Sequence, residues 1–351
     1  MYKDLLLAAA LLASAPAHAA QAGPAVSWTL ETSGPRHDGR EVQLSVESRW
    51  SPGSKSSWSN SHEAGELGLT PQRVMGRAGP VRFTFTREAG RLDCGGMLGA
   101  GRGSGSCSFT PDAGFTTFLD ARRIGRPDER QSFSLTMSGV GRDLVDALDT
   151  GGFERPNIEQ LTAMGIHGAS ANYVRELQGS GYHLSADDLI AFGIHGVEGD
   201  YVRELGSIGP ALRHISPSDL VSLKIHGVKP GYVREIAAIG RGFSNLGAED
   251  LVSFSIHGVR PSLLAAFVRA SSRPLVPDEV VAMAIHGVTG EFIDALAAVG
   301  YRDMTASDLV TLSIHGVTAD YVRSLQRAGM PRMSADQLVR LRLAGFEGGR
   351  N

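Results

Sequence analysis

The sequence has little cysteine, no excess of charge of either sign and, past its first residues, no long apolar run. Its 34 Lys and Arg stand against 37 Asp and Glu, a net charge of -3. Such a chain has no basic field with which to neutralise phosphates, so nucleic acid is not an expected partner. No stretch reaches the roughly 20 apolar residues of a membrane span, and no integral membrane segment is expected in the mature chain. Catalytic motifs are missing too. "HEAGE" from His62 lacks the second histidine of H-E-x-x-H, no G-x-S-x-G occurs, and Lys55 follows Ser51 by four residues, which misses the S-x-x-K spacing. No metal site or cofactor is expected, and the chain reads as a non-enzymatic protein.

The N-terminus, "MYKDLLLAAALLASAPAHAA", carries a basic Lys3, a short apolar run and the small-residue pattern Ala17-His18-Ala19. These are the parts of a secretory signal peptide, residues 1–19, and they imply export to the periplasm or beyond. No cysteine stands near the cleavage site to carry a lipid. Only Cys94 and Cys107 occur. In an oxidising compartment such a pair tends to become a disulfide. A hairpin turning near Ala100 sets the two opposite each other, with two packed thiols as the alternative.

Two periodicities divide the mature chain. Across 20–136, short alternating runs such as "AVSWTLE", "EVQLSVES", "VRFTFTRE", "GSCSFTP" and "QSFSLTMSG" lie between turn-forming clusters, the pattern of an antiparallel β domain. Trp28, Trp50 and Trp58 all fall here and read as packing residues. The glycines of "GAGRGSG" do not fit a phosphate loop, since strands flank them and no helix follows. They suit a tight hairpin with one face open to a close neighbour, a strand or an aromatic ring.

From 137 to 346 the chain repeats itself, leaving a tail at 347–351. Ile-His-Gly recurs with His167, His195, His226, His257, His286 and His315, at steps of 28, 31, 31, 29 and 29 residues. That regularity predicts a solenoid of helical hairpins with degenerate half-units at both ends. The fold class is therefore α+β: an N-terminal antiparallel β domain followed by an α-helical hairpin-repeat solenoid. Each unit opens at a capping position (Asn157, Ser185, Ser216, Gly247, Val276, Thr305 and, in the last half-unit, Ser334), with an acid or amide three residues on. Its first helix closes at the Gly after the His. Each helix is about ten residues long, too short to persist alone, so stacking must hold it.

Adjacent units stack about 10 Å apart, whereas zinc needs nitrogen at about 2.0–2.1 Å. Equivalent histidines therefore cannot share an ion, and no second ligand type recurs beside them. The alternative is corner chemistry, each ring serving an orphan carbonyl or neighbouring backbone at the bend. A second helix follows, with Tyr173, Tyr201, Tyr232 and Tyr321 at one position and Arg175, Arg203, Arg234 and Arg323 two residues later. Arg and the Glu beside it point about 100° apart, so they are expected as two parallel rows and not as ion pairs. The rows are either a solvated face or a polar strip that, with these tyrosines as exposed contacts, reads an extended polypeptide or an acidic partner, a protein or peptide of the cell envelope.

"LSADDLIAFGIHGVEGDYVREL", residues 184 to 205, resembles a helical repeat of bacterial envelope proteins. That repeat occurs in the extracytoplasmic tails of integral-membrane metalloproteases related to the beta-lactam sensor. "GPVRFTFTREAGRLDCGGMLGAGRGSGSCSFTPDAGF", residues 79 to 115, resembles the β domain that precedes those repeats. The resemblance implies an envelope location and a sensing or docking role. It does not imply peptidase activity, because the membrane helices and H-E-x-x-H of the proteases are missing. Two other expectations stand beside it: a hydrolase or metal-dependent activity in the β domain involving His37 or His62, and a structural envelope spacer.

Overall fold

The computed structural model describes residues 25–33, 37–51 and 54–347. The expected signal segment and all but the first residue of the expected tail lie outside these. The chain divides into two compact parts, one taking residues up to 117 with 127–137, the other 118–126 with everything from 138 onward.

The first part is a six-stranded antiparallel sheet in the order β3-β2-β1-β6-β5-β4. Its strands are β1 Ala25–Ser33, β2 Glu41–Ser51, β3 Ser54–Glu63, β4 Gly79–Arg87, β5 Gly90–Gly99 and β6 Arg102–Pro111. Alternation puts Val26, Trp28 and Leu30, then Val42, Leu44 and Val46, then Val81, Phe83 and Phe85 on one buried face. A short helix, α1 (Pro71–Met75), adds Val74 to that core. The β5–β6 hairpin turns at Ala100 and Gly101, both with positive φ. Its register pairs Cys94 with Cys107, and the two form a disulfide. The alternate glycines have the expected use: a Cβ on Gly96, Gly103 or Gly105 would press into the Trp28 ring at 2.7 to 3.0 Å. The bare backbone lets that indole lie flat, its Nε1 donating to the Gly95 carbonyl at 3.2 Å.

Two elements depart from the sequence reading. "QSFSLTMSG" is not a strand but most of a helix, α3 (Glu129–Met137), which follows α2 (Ala113–Ala121). The reason lies upstream: the Asp128 carboxylate accepts from the Gln131 backbone N–H at 2.7 Å while Gln131 Oε1 accepts from the Asp128 N–H at 3.0 Å. This capping box starts a helix that the period-two text of Phe133, Leu135 and Met137 hides. The second departure is β3, "SKSSWSNSHE", too polar to read as a strand. It is held at the sheet edge by side-chain rungs, Ser45 to Ser59 Oγ at 2.7 Å and Ser61 to Gln43 at 2.8 Å. Short polar side chains on an edge strand also discourage pairing with another chain.

The second part is the helical array. After α4 (Arg142–Gly151) come six hairpin units, numbered by their histidines from His167 to His315. They are α5/α6 (Ile158–Ile166, Ala171–Gln178), α7/α8 (Ala186–His195, Gly199–Ile208) and α9/α10 (Pro217–Ile225, Pro230–Ala238), then α11/α12 (Ala248–Ile256, Pro261–Ala270), α13/α14 (Pro277–Ile285, Gly290–Ala298) and α15/α16 (Ala306–Ile314, Ala319–Arg327), with α17 (Ala335–Leu343) last. First helices stack on first helices and second on second: α5 on α7, α13 on α15, α12 on α14. The half-units obey the same rule, α4 lying against α6 and α17 against α15. Within a unit the chain turns sharply, by 104° at Gly258 and 91° at Gly287. No single described helix is long and apolar enough to cross a membrane.

Local sequence sets the start of most first helices and the corner that follows. Asn157, Ser185, Ser216, Thr305 and Ser334 each cap their helix through the side chain. Gly247 and Val276 have no side-chain oxygen, and there only the return bond forms, backbone N–H to Asp250 at 3.2 Å and to Glu279 at 3.2 Å. At the corner the Gly after each His takes positive φ. The next residue then donates back into the helix, as in Val197 N–H to the Phe192 carbonyl and Val228 N–H to that of Leu223, both 2.9 Å. Leu161, Leu189, Leu220, Leu251, Val280 and Leu309 sit one per unit in the core between the two helical layers.

Candidate functional site

The recurring tyrosines are not exposed contacts, as the sequence suggested; Tyr173, Tyr201 and Tyr232 are ties between units, while the buried Tyr321 hydroxyl has no hydrogen-bond partner among the described residues. Tyr201 and Tyr321 are buried, at 8% and 6% exposure, and Tyr173 and Tyr232 are half-buried. Each of the first three reaches the corner of the following unit. The Tyr173 hydroxyl donates to the Val197 carbonyl at 2.6 Å, Tyr201 to Val228 at 2.9 Å and Tyr232 to Val259 at 2.8 Å. Lys224 Nζ covers the Tyr201 ring from the next unit, 4.9 Å from its centroid. Burial pushes the Tyr201 and Tyr232 phenols up to about 12. It raises Tyr173 as well, helped by Glu198 and Glu176.

The arginines are exposed but engaged. Arg203 donates to the Glu176 carbonyl of the preceding unit at 3.1 Å and also pairs with Asp200. Arg234 pairs with Glu204 one unit back. At this one boundary the expectation of rows without ion pairs is corrected: two long side chains span the stacking distance between units. Arg175 holds Asn172 at 2.8 Å, and Arg323 pairs with Asp320.

The histidines occupy the corners, but main chain closes those corners. His167, His195, His226, His257, His286 and His315 are all exposed, and none of their rings makes a hydrogen bond among the described residues. It is the His backbone that is used: Ser255 Oγ donates to the His226 carbonyl at 2.7 Å and Ser313 Oγ to that of His286 at 2.8 Å.

The residue before each His carries the larger surprise. Ile166, Ile194, Ile225, Ile256, Ile285 and Ile314 are 51% to 57% exposed, with Leu343 continuing the row at 69%. Seven residues earlier, two turns down the same helix face, stand Glu159, Asp187, Ser218, Glu249, Asp278, Ser307 and Asp336, all exposed. Half-buried Ile190, Val221, Val252, Val281 and Val310 lie between. The first-helix layer thus presents a ribbon with an aliphatic ridge flanked by imidazoles on one side and a mainly acidic edge on the other. Scattered exposed aliphatics need no explanation, but one per unit at the same helix position makes an ordered row. Periodicity alone hid the ridge, because an Ile at helical spacing reads as core.

In the β part, the His62 ring is nearly buried, edge-on to Phe85 at 5.4 Å, with Nδ1 3.2 Å from Glu66. His37 is exposed. Among the described residues no three His, Cys, Asp or Glu side chains converge as a metal would require.

No protein family, curated protein or solved structure matches the chain. The ridge and its edges therefore stand on their own geometry.

Proposed function

We propose that the chain is an exported, non-enzymatic interaction module that binds a protein or peptide of the cell envelope along its first-helix layer. The observation that carries this reading is the in-register row of half-exposed isoleucines, Ile166 to Ile314. Covering a half-exposed Ile contributes roughly 1 kcal/mol, so several together supply useful affinity. The acidic edge on the same face gives the partner its chemistry: an extended or helical segment with recurring apolar residues and Lys or Arg alongside. Export is supported by the Cys94–Cys107 bridge, a bond of oxidising compartments. An envelope sensing or docking role is what the resemblance of the repeat implies.

The test is a peptide-display selection against the full chain. Enriched peptides are expected to combine apolar and basic residues, and to bind Ile194→Ser/Ile225→Ser/Ile256→Ser at least tenfold more weakly. These three side chains touch little of the core, so the variant keeps its helical circular dichroism. Peptides indifferent to the triple change but lost on Arg203→Ala/Arg234→Ala/Arg323→Ala would move the surface to the second-helix layer. If no peptide is enriched, the docking reading fails and the spacer role takes its place.

A further inference from the structure

Units 1, 2 and 3 fill one recurring niche with a tyrosine. In each the hydroxyl donates to the carbonyl two after the next unit's His, and in unit 2 Lys224, two before that His, also covers the Tyr201 ring. In unit 4 the tyrosine position is Leu263. The two positions that should surround the ring in unit 5 are Ala284, in place of Lys224, and the Val288 carbonyl. A cleft of about 210 Å³ opens there, lined by Leu263, Ala284 and Val288 together with Arg260, Gly290 and Glu291. Leu263 itself is buried, forming the floor. No described residue donates to the Val288 carbonyl.

We infer that this cleft is a binding site for a 4-hydroxyphenyl group, either a small phenol or a tyrosine side chain of a partner polypeptide. The protein itself supplies the template: three of its own units place a phenol in this frame, ring between two units and hydroxyl on a corner carbonyl. Where a branched aliphatic replaces the ring, the side chain stops short of the carbonyl and an acceptor is left facing the gap. Ala284 in place of a long cation leaves the mouth open. The volume falls below the about 300 Å³ at which ligand pockets usually begin, which suits one ring and little else. Arg260 and Glu291 make a polar rim for whatever the ring is attached to. The site is separate from the isoleucine ridge and does not depend on it.

The probe is p-cresol, titrated into the full chain and followed by ligand-observed NMR, with toluene as the analogue lacking the hydroxyl. Saturable binding on the order of 1 mM is expected for so small a ligand, with toluene at least tenfold weaker because it leaves the carbonyl unpaired. Leu263→Tyr, which supplies the chain's own phenol, abolishes binding. Ala284→Lys, which closes the mouth as Lys224 does, weakens it at least tenfold from a half-buried position that Lys224 shows can hold a lysine, and guards against a folding defect in the first variant. A blocked Gly-Tyr-Gly peptide that displaces p-cresol assigns the site to a partner's tyrosine, and failure to displace assigns it to a small phenol. Absence of saturable p-cresol binding, or binding unchanged in both variants, overturns the inference.

Discussion

Replacing Tyr201 with Phe removes one oxygen atom from the boundary between units 2 and 3 and leaves the ring in place. The hydroxyl lies 2.9 Å from the Val228 carbonyl, and both residues are buried, at 8% and 2% exposure. Apolar burial is unchanged, so the whole effect is electrostatic. A neutral hydrogen bond contributes about 0.5–1.5 kcal/mol net, and a buried carbonyl left without a donor costs about 1–3 kcal/mol. Tyr201→Phe should therefore lose about 1–2 kcal/mol. For an array of this size, each kcal/mol lowers Tm by about 2–4 °C. Because a solenoid's stability is built from units and their interfaces, the loss should be local. Amide exchange should quicken at α8 and α9 before it quickens at α15. The reciprocal change exists in the same chain: unit 5 already has Phe292 at this position, so Phe292→Tyr should gain about 0.5–1 kcal/mol through a bond to the Val317 carbonyl. Calorimetry and urea unfolding of the three proteins decide it. A Tyr201→Phe protein within about 0.3 kcal/mol of the parent, with exchange unchanged at that boundary, would refute the view that the phenols tie the units.

Three further outcomes follow from the same structure. The tying phenols bond only when neutral and are held above their ordinary value of 10, with Tyr201 and Tyr232 near 12. Their contribution is therefore complete below pH 10 and is lost as pH rises through 12; absorbance at 295 nm should show these tyrosines ionising late and together with loss of helix, and early ionisation in a folded array would contradict it. Reducing the Cys94–Cys107 bridge, which closes a separation of 13 residues, should cost the β part about 3 kcal/mol on a chain-entropy estimate, read as a lower urea midpoint with dithiothreitol. Gly105→Ala would put a Cβ 2.0 Å from the Gly95 carbonyl and 2.7 Å from the Trp28 indole. A loss of about 1–3 kcal/mol is expected there, whereas Gly95→Ala, with open space around its Cβ, should be tolerated and keep the indole fluorescence unshifted.

The sequence by itself determined the repeat, its period, the caps and the corners, because each of these is settled within about ten residues of chain. A cap needs one oxygen at the right offset, and a helix end needs a glycine free to take positive φ. It also placed Cys94 opposite Cys107, since the turn between them fixes the register. It misread "QSFSLTMSG", where an upstream capping box outweighs a period-two pattern, and passed over β3, whose polar rungs make sense only beside β2. Tertiary structure alone decided the faces. Whether Ile194 faces the core or solvent, whether Tyr201 meets a partner or the Val228 carbonyl, and whether Arg234 finds Glu204 all depend on how one unit is offset against the next. That offset is set by packing between residues about 30 positions apart, which no local pattern encodes.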